Sequence, residues 1–400
     1  MSVGIVGAGW SLISRRADSC LAELVLSACG AALTDAGLEW SDVDGLATYP
    51  STAGAGGSVE GIDTVGVEYI AQTLPTHQLS WYASLERGTI GHVLAAAVNA
   101  VEAGTSRIAL VWKGMHSPSG SYGEFQIDEA PGESQFRAPF GMGGPYNAGG
   151  GAVAEFAMPY SQYLTRYGRD RLEMGPYAIH NRGNAASNPH AIFFRKPLSE
   201  DDWTASRLVS DPLSVLDCDM AVDGAGAVVV VAGDIARRLS ARPAWVVGHS
   251  NVGIHRRRAP TMLWDDLAEN ASHLVDLALA RSGVGMSDIR SAALYDGFSY
   301  FVPMWLEATN VCGPGEAFDF IADAQTTVGN RLAVNVFGGN LGMGRLHGMP
   351  QIIEAIRQVQ GSAWDGQPAA EPFCLATVGS ATHGAATFVL SNEARSSRIG

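Results

Sequence analysis

Ala293-Leu294-Tyr295-Asp296-Gly297-Phe298-Ser299 is an apolar run that ends in a polar Tyr-Asp pair and a glycine. A buried strand delivers side chains to a site at its carboxyl end in this way. Further on, Asn335-Val-Phe-Gly338-Gly339-Asn-Leu-Gly-Met-Gly-Arg345-Leu-His347-Gly348 reads as a short strand, a glycine-rich turn and a helix beginning between Arg345 and Met349. Both stretches are strand-to-loop junctions, the usual address of ligand sites in α/β proteins.

Outward from these junctions the chain alternates strands and helices. Val3 to Val6 is a strand, Asp18 to Ala36 carries apolar residues at helical spacing up to Gly37, and Asp42 to Tyr49 holds the next strand. Beyond Gly88 the sequence to Gly104 is almost entirely apolar or small, the mark of a helix buried on all sides. Ile108 to Trp112 and Gly226 to Ala232 read as buried strands, with helical patterns at Ala152 to Tyr167 and Arg171 to Ala186 between them. A second set follows: strands Trp245 to His249, Ile289 to Tyr295 and Arg331 to Asn335, a closing pair Phe373 to Gly379 and Ala385 to Ser391, and helices Leu263 to Arg281, Tyr300 to Asn310 and Leu346 to Gln360. The reading is an α/β chain of two similar halves, 1–235 and 236–400, the first with an insertion over about 113–185. Within it, Lys113 to Gly151 is rich in glycine, proline and aromatics (Tyr122, Phe125, Phe136, Phe140, Tyr146), a cover over a bulky apolar substrate or a dimer contact.

Composition narrows the function. Charged residues are 16% of 400, well below the usual globular share of about 25%, and 46% are hydrophobic, enough for a large core. A net charge of −14 argues against a nucleic-acid footprint; the basic run His255-Arg256-Arg257-Arg258 reads as a loop. Five cysteines without a Cys-x-x-Cys pair indicate neither a disulfide framework nor a zinc ribbon, and no His/Asp/Glu spacing suggests a metal. Neither a signal peptide nor a membrane span is expected, so a soluble cytoplasmic protein is. Gly7-Ala-Gly9 hints weakly at a dinucleotide fingerprint but lacks its third glycine.

Tyr295-Asp-Gly-Phe-Ser stands where thiolases of the sterol-carrier type have His-Asp-Cys-Phe-Ser. Gly338-Gly339 through Gly348 resembles their Gly-Gly-x-x-x-x-Gly-His-Pro-x-Gly segment. Cys312-Gly-Pro-Gly-Glu-Ala-Phe and Asp211-Pro-Leu-Ser-Val-Leu-Asp-Cys-Asp-Met-Ala-Val-Asp-Gly-Ala-Gly-Ala-Val also resemble that superfamily, over nearly the whole chain. The resemblance implies a thiolase fold, two βαβαβ-type halves in a five-layer αβαβα globule.

Departures from the family pattern carry the functional reading. Leu85 takes the place of the nucleophilic cysteine, Tyr295 that of the histidine in the first motif, Gly297 that of its cysteine, and Arg345 that of the Gly-His-Pro histidine, with His347 two residues on. Ser84 is a poor substitute nucleophile, because a hydroxyl needs an aligned base. Without a covalent nucleophile, two-step thiolytic exchange is closed, but a thioester enolate can still be stabilised. The pattern resembles thiolase-like lipid-transfer proteins, some of which are aldolases of steroid side-chain degradation. That resemblance implies a carbon-carbon lyase cleaving a β-hydroxyacyl-CoA to a ketone and a shortened acyl-CoA. It further implies a homodimer with an OB-fold partner and no cofactor beyond the substrate's CoA. The alternatives are a catalytically silent acyl-CoA- or lipid-binding subunit and a thiolase-like acyltransferase.

Tyr295 is expected as acid/base, its phenol lowered by Arg345 or a protonated His347. Arg345, His347 and His383 (in Gly379-Ser-Ala-Thr-His383-Gly384) complete the catalytic set. Asp296 holds the loop and, with Phe298, Gly338 and Gly339, is assigned to substrate binding. The branch implies a second catalytic tyrosine, and Met349 occupies the position where it is expected. His92 reads as a core histidine, and His116 and His190 as loop residues.

Overall fold

The computed structural model describes residues 2–50, 59–62, 64–75, 79–85, 89–117, 151–240, 242–252, 263–362, 371–381 and 384–394. The cover expected over most of 113–151, the basic run at 255–258 and His383 lie outside the described residues.

The first half runs β1 (Val3–Trp10), α1 (Leu21–Ala36), β2 (Gly45–Thr48), α2 (Val67–Thr73), β3 (Trp81–Ser84), α3 (Ile90–Glu102) and β4 (Ile108–Met115). Helices α4 (Gly151–Tyr167), α5 (Gly175–Ser187) and α6 (Glu200–Thr204) follow, then the short pair β5 (Leu208–Ser210) and β6 (Leu213–Ser214), then β7 (Gly224–Ala232) and α7 (Gly233–Leu239). The second half runs β8 (Ala244–Val252), α8 (Trp264–Ser282), β9 (Ser291–Ala293), α9 (Phe301–Ala308), α10 (Ala317–Ala322) and β10 (Ala333–Val334). It closes with α11 (Gly339–Met343), α12 (Met349–Gln360), β11 (Phe373–Gly379) and β12 (Ala385–Ser391).

Ten strands share one sheet in the order β10-β9-β11-β12-β8-β1-β7-β4-β2-β3. Its seam is β1 on β8, paired at Gly4–Trp245 and Ile5–Ala244. Outward from the seam, β1-β7-β4-β2-β3 makes two antiparallel steps and then two parallel ones. In the other direction β8-β12-β11-β9-β10 makes the same steps in the same order. The two halves are therefore repeats of one topology.

Layering follows from which residues are apolar. In β7 all nine residues are buried, with Val228 to Val231 at 0% exposure; full burial of each such side chain is worth roughly 1.5–3 kcal/mol. Helix α1 covers one face, against β1, β7 and β4, and ends at Gly37, whose left-handed backbone (φ 67°) returns its N–H to Leu33 and Thr34. The weak fingerprint at Gly7-Ala-Gly9 lies inside β1. Cβ atoms at those glycines would fall 2.2 Å and 2.4 Å from the α1 backbone at Ala32, so the glycines serve close helix-on-strand packing. Helix α8 covers β8 and β12 on the far side. Helices α3 and α12 touch strands of both halves and form the middle layer of five. Among the described residues no helix is long and apolar enough to cross a membrane.

Candidate functional site

Strand β9 stops at Ala293, and a side chain continues its ladder. The Leu294 N–H donates to Asn335 Oδ1 at 2.8 Å and Asn335 Nδ2 donates to the Leu294 carbonyl at 2.9 Å. Asn335 does this from a left-handed backbone, φ 49°, which Asn tolerates better than most residues. The chain then splits its polar pair in two directions. Tyr295, anchored by its N–H to Thr377 Oγ1 at 2.9 Å, stays partly exposed. Its phenol folds back over Gly297, where a Cβ would lie 2.7 Å from Oη, so the residue in the family's cysteine position has to be glycine here.

Asp296 turns inward and is 0% exposed. Its Oδ1 accepts the Asn340 N–H at 2.6 Å and Gln351 Nε2 at 3.1 Å. Its Oδ2 accepts Tyr177 Oη at 3.1 Å and Asn181 Nδ2 at 3.4 Å. Gly339 makes room for the carboxyl group, since a Cβ there would lie 2.0 Å from Oδ2. Burial pushes this carboxyl up to about 7, against the pull of the Asn340 amide and the Tyr177 hydroxyl. Asp296 thus ties the two junction loops together.

Phe298, 5% exposed, packs on Phe156 with ring centroids 4.7 Å apart. Gly338 is buried against Ala185. The four residues expected to contact substrate are enclosed by protein atoms, because each is engaged in packing one loop on the next. They form the frame behind the site.

In the second junction Gly344 (φ 107°), His347 (φ 51°) and Gly348 (φ 91°) are left-handed. The helix expected from Leu346 therefore starts at Met349, and the glycine-rich run holds the short α11 instead of a plain turn. The Arg345 N–H donates to the Met220 carbonyl at 2.8 Å. Leu346 is 0% exposed, whereas Arg345 and His347 on either side of it retain surface.

Electrostatics reverse the expected shift of the phenol. Burial, with Asp219 next, raises Tyr295 above the ordinary phenol range, and the Arg345 cation offsets only part of this. His347 is held well below the ordinary imidazole value by burial, Arg345 and Lys113. These shifts keep the Tyr295 phenol protonated and the His347 imidazole unprotonated near neutral pH.

Sequence reasoning missed two residues at this place. Tyr49, just past the carboxyl end of β2, brings its ring to 6.2 Å from that of His347. Lys113 in β4 donates from Nζ to the Tyr49 carbonyl at 2.8 Å, with Nζ 4.4 Å from the Tyr49 ring centroid. A tyrosine at a strand end and a lysine interrupting a buried apolar strand were the available signals. Met349, where a second tyrosine was expected, is fully buried, and the Cβ position of Gly226 falls 2.6 Å from its Cγ.

Leu85 follows β3, with its N–H on the Thr48 carbonyl, five residues before α3 begins. Helix α3 opens instead on a box in which the His92 ring accepts the Thr89 N–H at 3.3 Å, so His92 has a local structural role. Ser84 is exposed on the edge strand. His116 sits 3.3 Å from Asp223, and burial lowers His190. All five cysteines are free. Burial raises the Cys29 and Cys218 thiols and pushes Cys312 and Cys374 up to about 12, so none of these four is an activated nucleophile.

Residues 253–392 match the family described as Thiolase C-terminal domain-like. The chain is 32% identical over 382 residues to a 17-hydroxy-3-oxo-4-pregnene-20-carboxyl-CoA lyase of Mycobacterium tuberculosis, covering 90% of this chain and 92% of that one. It is 33% identical over 391 residues to a steroid side-chain-cleaving aldolase of Thermomonospora curvata, covering 94% and 95%. Among solved structures, the Ltp2-ChsH2(DUF35) aldolase superposes with a TM-score of 0.82 at 30% identity over 98% of this chain and 97% of that one. Human mitochondrial 3-ketoacyl-CoA thiolase, at 13% identity and a TM-score of 0.70 over 98% and 99%, shares the fold. With the repeated topology and these matches over nearly the whole chain, the chain belongs to the thiolase superfamily, in the branch of thiolase-like proteins that includes the steroid side-chain-cleaving aldolases.

Proposed function

We propose that this protein is an acyl-CoA retro-aldolase that cleaves a β-hydroxyacyl-CoA, with a steroid side chain or another bulky group, to a ketone and a shortened acyl-CoA. The observation that carries the reading is the neutral Tyr295 phenol over Gly297, at a position where a thiolase places cysteine. A base takes the β-hydroxyl proton, the bond between Cα and Cβ breaks, and its electron pair passes into the thioester as an enolate. His347, unprotonated, is the proton acceptor. Arg345 offers the cation for the enolate oxygen. Tyr295 gives its proton to the enolate carbon, and return of the proton from His347 to the phenolate closes the cycle. No cofactor beyond the substrate's CoA enters this scheme.

The names of the two relatives and their near full-length match support the reaction class. The similar aldolase structure is named for two components, Ltp2 and ChsH2(DUF35), which supports a two-protein complex here; the sequence resemblance is what makes the expected partner an OB-fold protein. Strand β3 ends the sheet with Tyr82 67% exposed, which favours pairing of two copies along that edge. Five free cysteines favour a reducing, cytoplasmic setting.

Mass-spectrometric product analysis with a branched β-hydroxyacyl-CoA, with and without the candidate partner, tests the proposal. Ketone and shortened acyl-CoA appear together, and Tyr295→Phe lowers turnover by about 10²-fold or more with folding intact. Intact substrate under all conditions, with the melting temperature raised by it, would leave a binding subunit.

A further inference from the structure

Of the 26 basic residues in the chain, 24 are arginine and two are lysine, Lys113 and Lys196. Lys196 is exposed; Lys113 is 0% exposed in the middle of β4. Arginine stays charged in proteins, whereas a buried lysine can lose its proton, so the two are not interchangeable at such a place. Lys113 pairs across the ladder with Gly226, whose Cβ position abuts Met349, the first residue of α12. The lysine therefore points into the middle layer beside the second junction. The ionisable groups that act on it or are acted on by it include Arg345 and His347 from that junction; Tyr49 lies over it from the end of β2.

We propose that Lys113 is a positioning residue of the site: its amine, bonded to the Tyr49 carbonyl and seated against the Tyr49 ring, holds Tyr49 against His347 and adds a charge to the Arg345 cluster that turnover depends on. Burial and the neighbouring Arg345 bring the amine down to about 7, so the charge is present below neutrality and lost above it. A positive charge behind the site favours the anionic enolate, and the contribution of Lys113 to turnover fades as pH rises through that range.

The activity arm of the test rests on the aldolase reading, and a second arm does not. In the complex, Lys113→Met lowers kcat by about tenfold or more with KM for the acyl-CoA little changed, and removes the fall in kcat/KM through neutral pH expected of the wild type. Wild-type kcat and pH profile in a folded Lys113→Met would overturn the proposal. Persistence of the same limb in that variant would assign it to Asp296, and overturn it as well. In the second arm, protein carrying ¹³C at the lysine ε position gives two signals, assigned with Lys196→Arg. One titrates near neutrality, and Arg345→Gln raises its midpoint. Two ordinary lysine titrations, or a midpoint blind to Arg345→Gln, overturn the proposal even where no β-hydroxyacyl-CoA is cleaved; that absence of cleavage would sink the aldolase reading alone.

Discussion

The Tyr295 hydroxyl occupies the space that a side chain at Gly297 would fill: a Cβ there would come within 2.7 Å of Oη. The position in which the family carries a cysteine has thus been emptied to seat a phenol. Gly297→Ala drives the phenol out of place while leaving the Asp296 network alone. Turnover is expected to fall by about 10²-fold, as for a reacting group misplaced by an ångström, with a small loss in melting temperature. Unchanged kcat in Gly297→Ala would mean that the phenol position is irrelevant.

Asp296→Asn is expected to destabilise the fold by about 1–3 kcal/mol. Both carboxyl oxygens accept from donors, so an amide group placed either way meets an N–H or O–H. The variant also changes the pH response. In the folded chain the carboxyl is raised to about 7, so the native state holds its proton more tightly than the unfolded chain. This contribution to stability falls as pH rises from about 4 to about 7. Urea denaturation across that range shows it as a stability advantage of the wild type over Asp296→Asn that shrinks as pH rises.

His347 acts in the opposite sense. Its folded-state value lies well below the ordinary one, so the unfolded chain takes up a proton that the native state refuses. The contribution of His347 to stability is lost as pH falls beneath about 6.5. His347→Gln flattens that acid limb; an unaltered limb would show that the imidazole is not buried neutral.

Tyr177, 1% exposed, donates to Asp296 and accepts from Asn335 Nδ2 at 2.8 Å. Tyr177→Phe removes both bonds without changing the packing, and chemical denaturation is expected to show a loss of about 1–3 kcal/mol.

Alkylation tests the non-covalent mechanism. Cys20 is exposed at the head of α1, whereas the other four thiols are raised by burial. Iodoacetamide at mildly alkaline pH labels Cys20 and leaves turnover intact. Inactivation in proportion to a second labelled cysteine would bring covalent chemistry back.

Much of the fold was legible because apolar patterning is a local signal. The closing pair Phe373–Gly379 and Ala385–Ser391 was delimited to the residue, and the all-apolar runs at α3 and β7 announced burial on every side. What escaped depends on contacts distant in sequence. Nothing local says that His347 is left-handed and delays α12 to Met349, or that Asp296 faces Tyr177 and Gln351. The phenol was misjudged for the same reason: a nearby cation is visible in a motif, whereas desolvation is a property of the assembled interior and here outweighs it. Lys113 and Tyr49 lie more than 180 residues from the motifs they join.

The segment Asp217 to Val222 holds the backbones of both junctions at once. Asp217 accepts the Ser299 N–H and hydroxyl, the Asp219 N–H reaches the Gly297 carbonyl, Met220 accepts the Arg345 N–H, and Val222 lies under Gly344. It precedes β7 and so comes from the first half, while every loop it grips comes from the second. Duplicated folds often tolerate being produced as separable pieces, but this one cannot be divided between β7 and β8 without taking the mould away from the casting. A second half made alone would retain Tyr295, Arg345 and His347 and still lack a working arrangement of them, and adding the first half in trans should restore it.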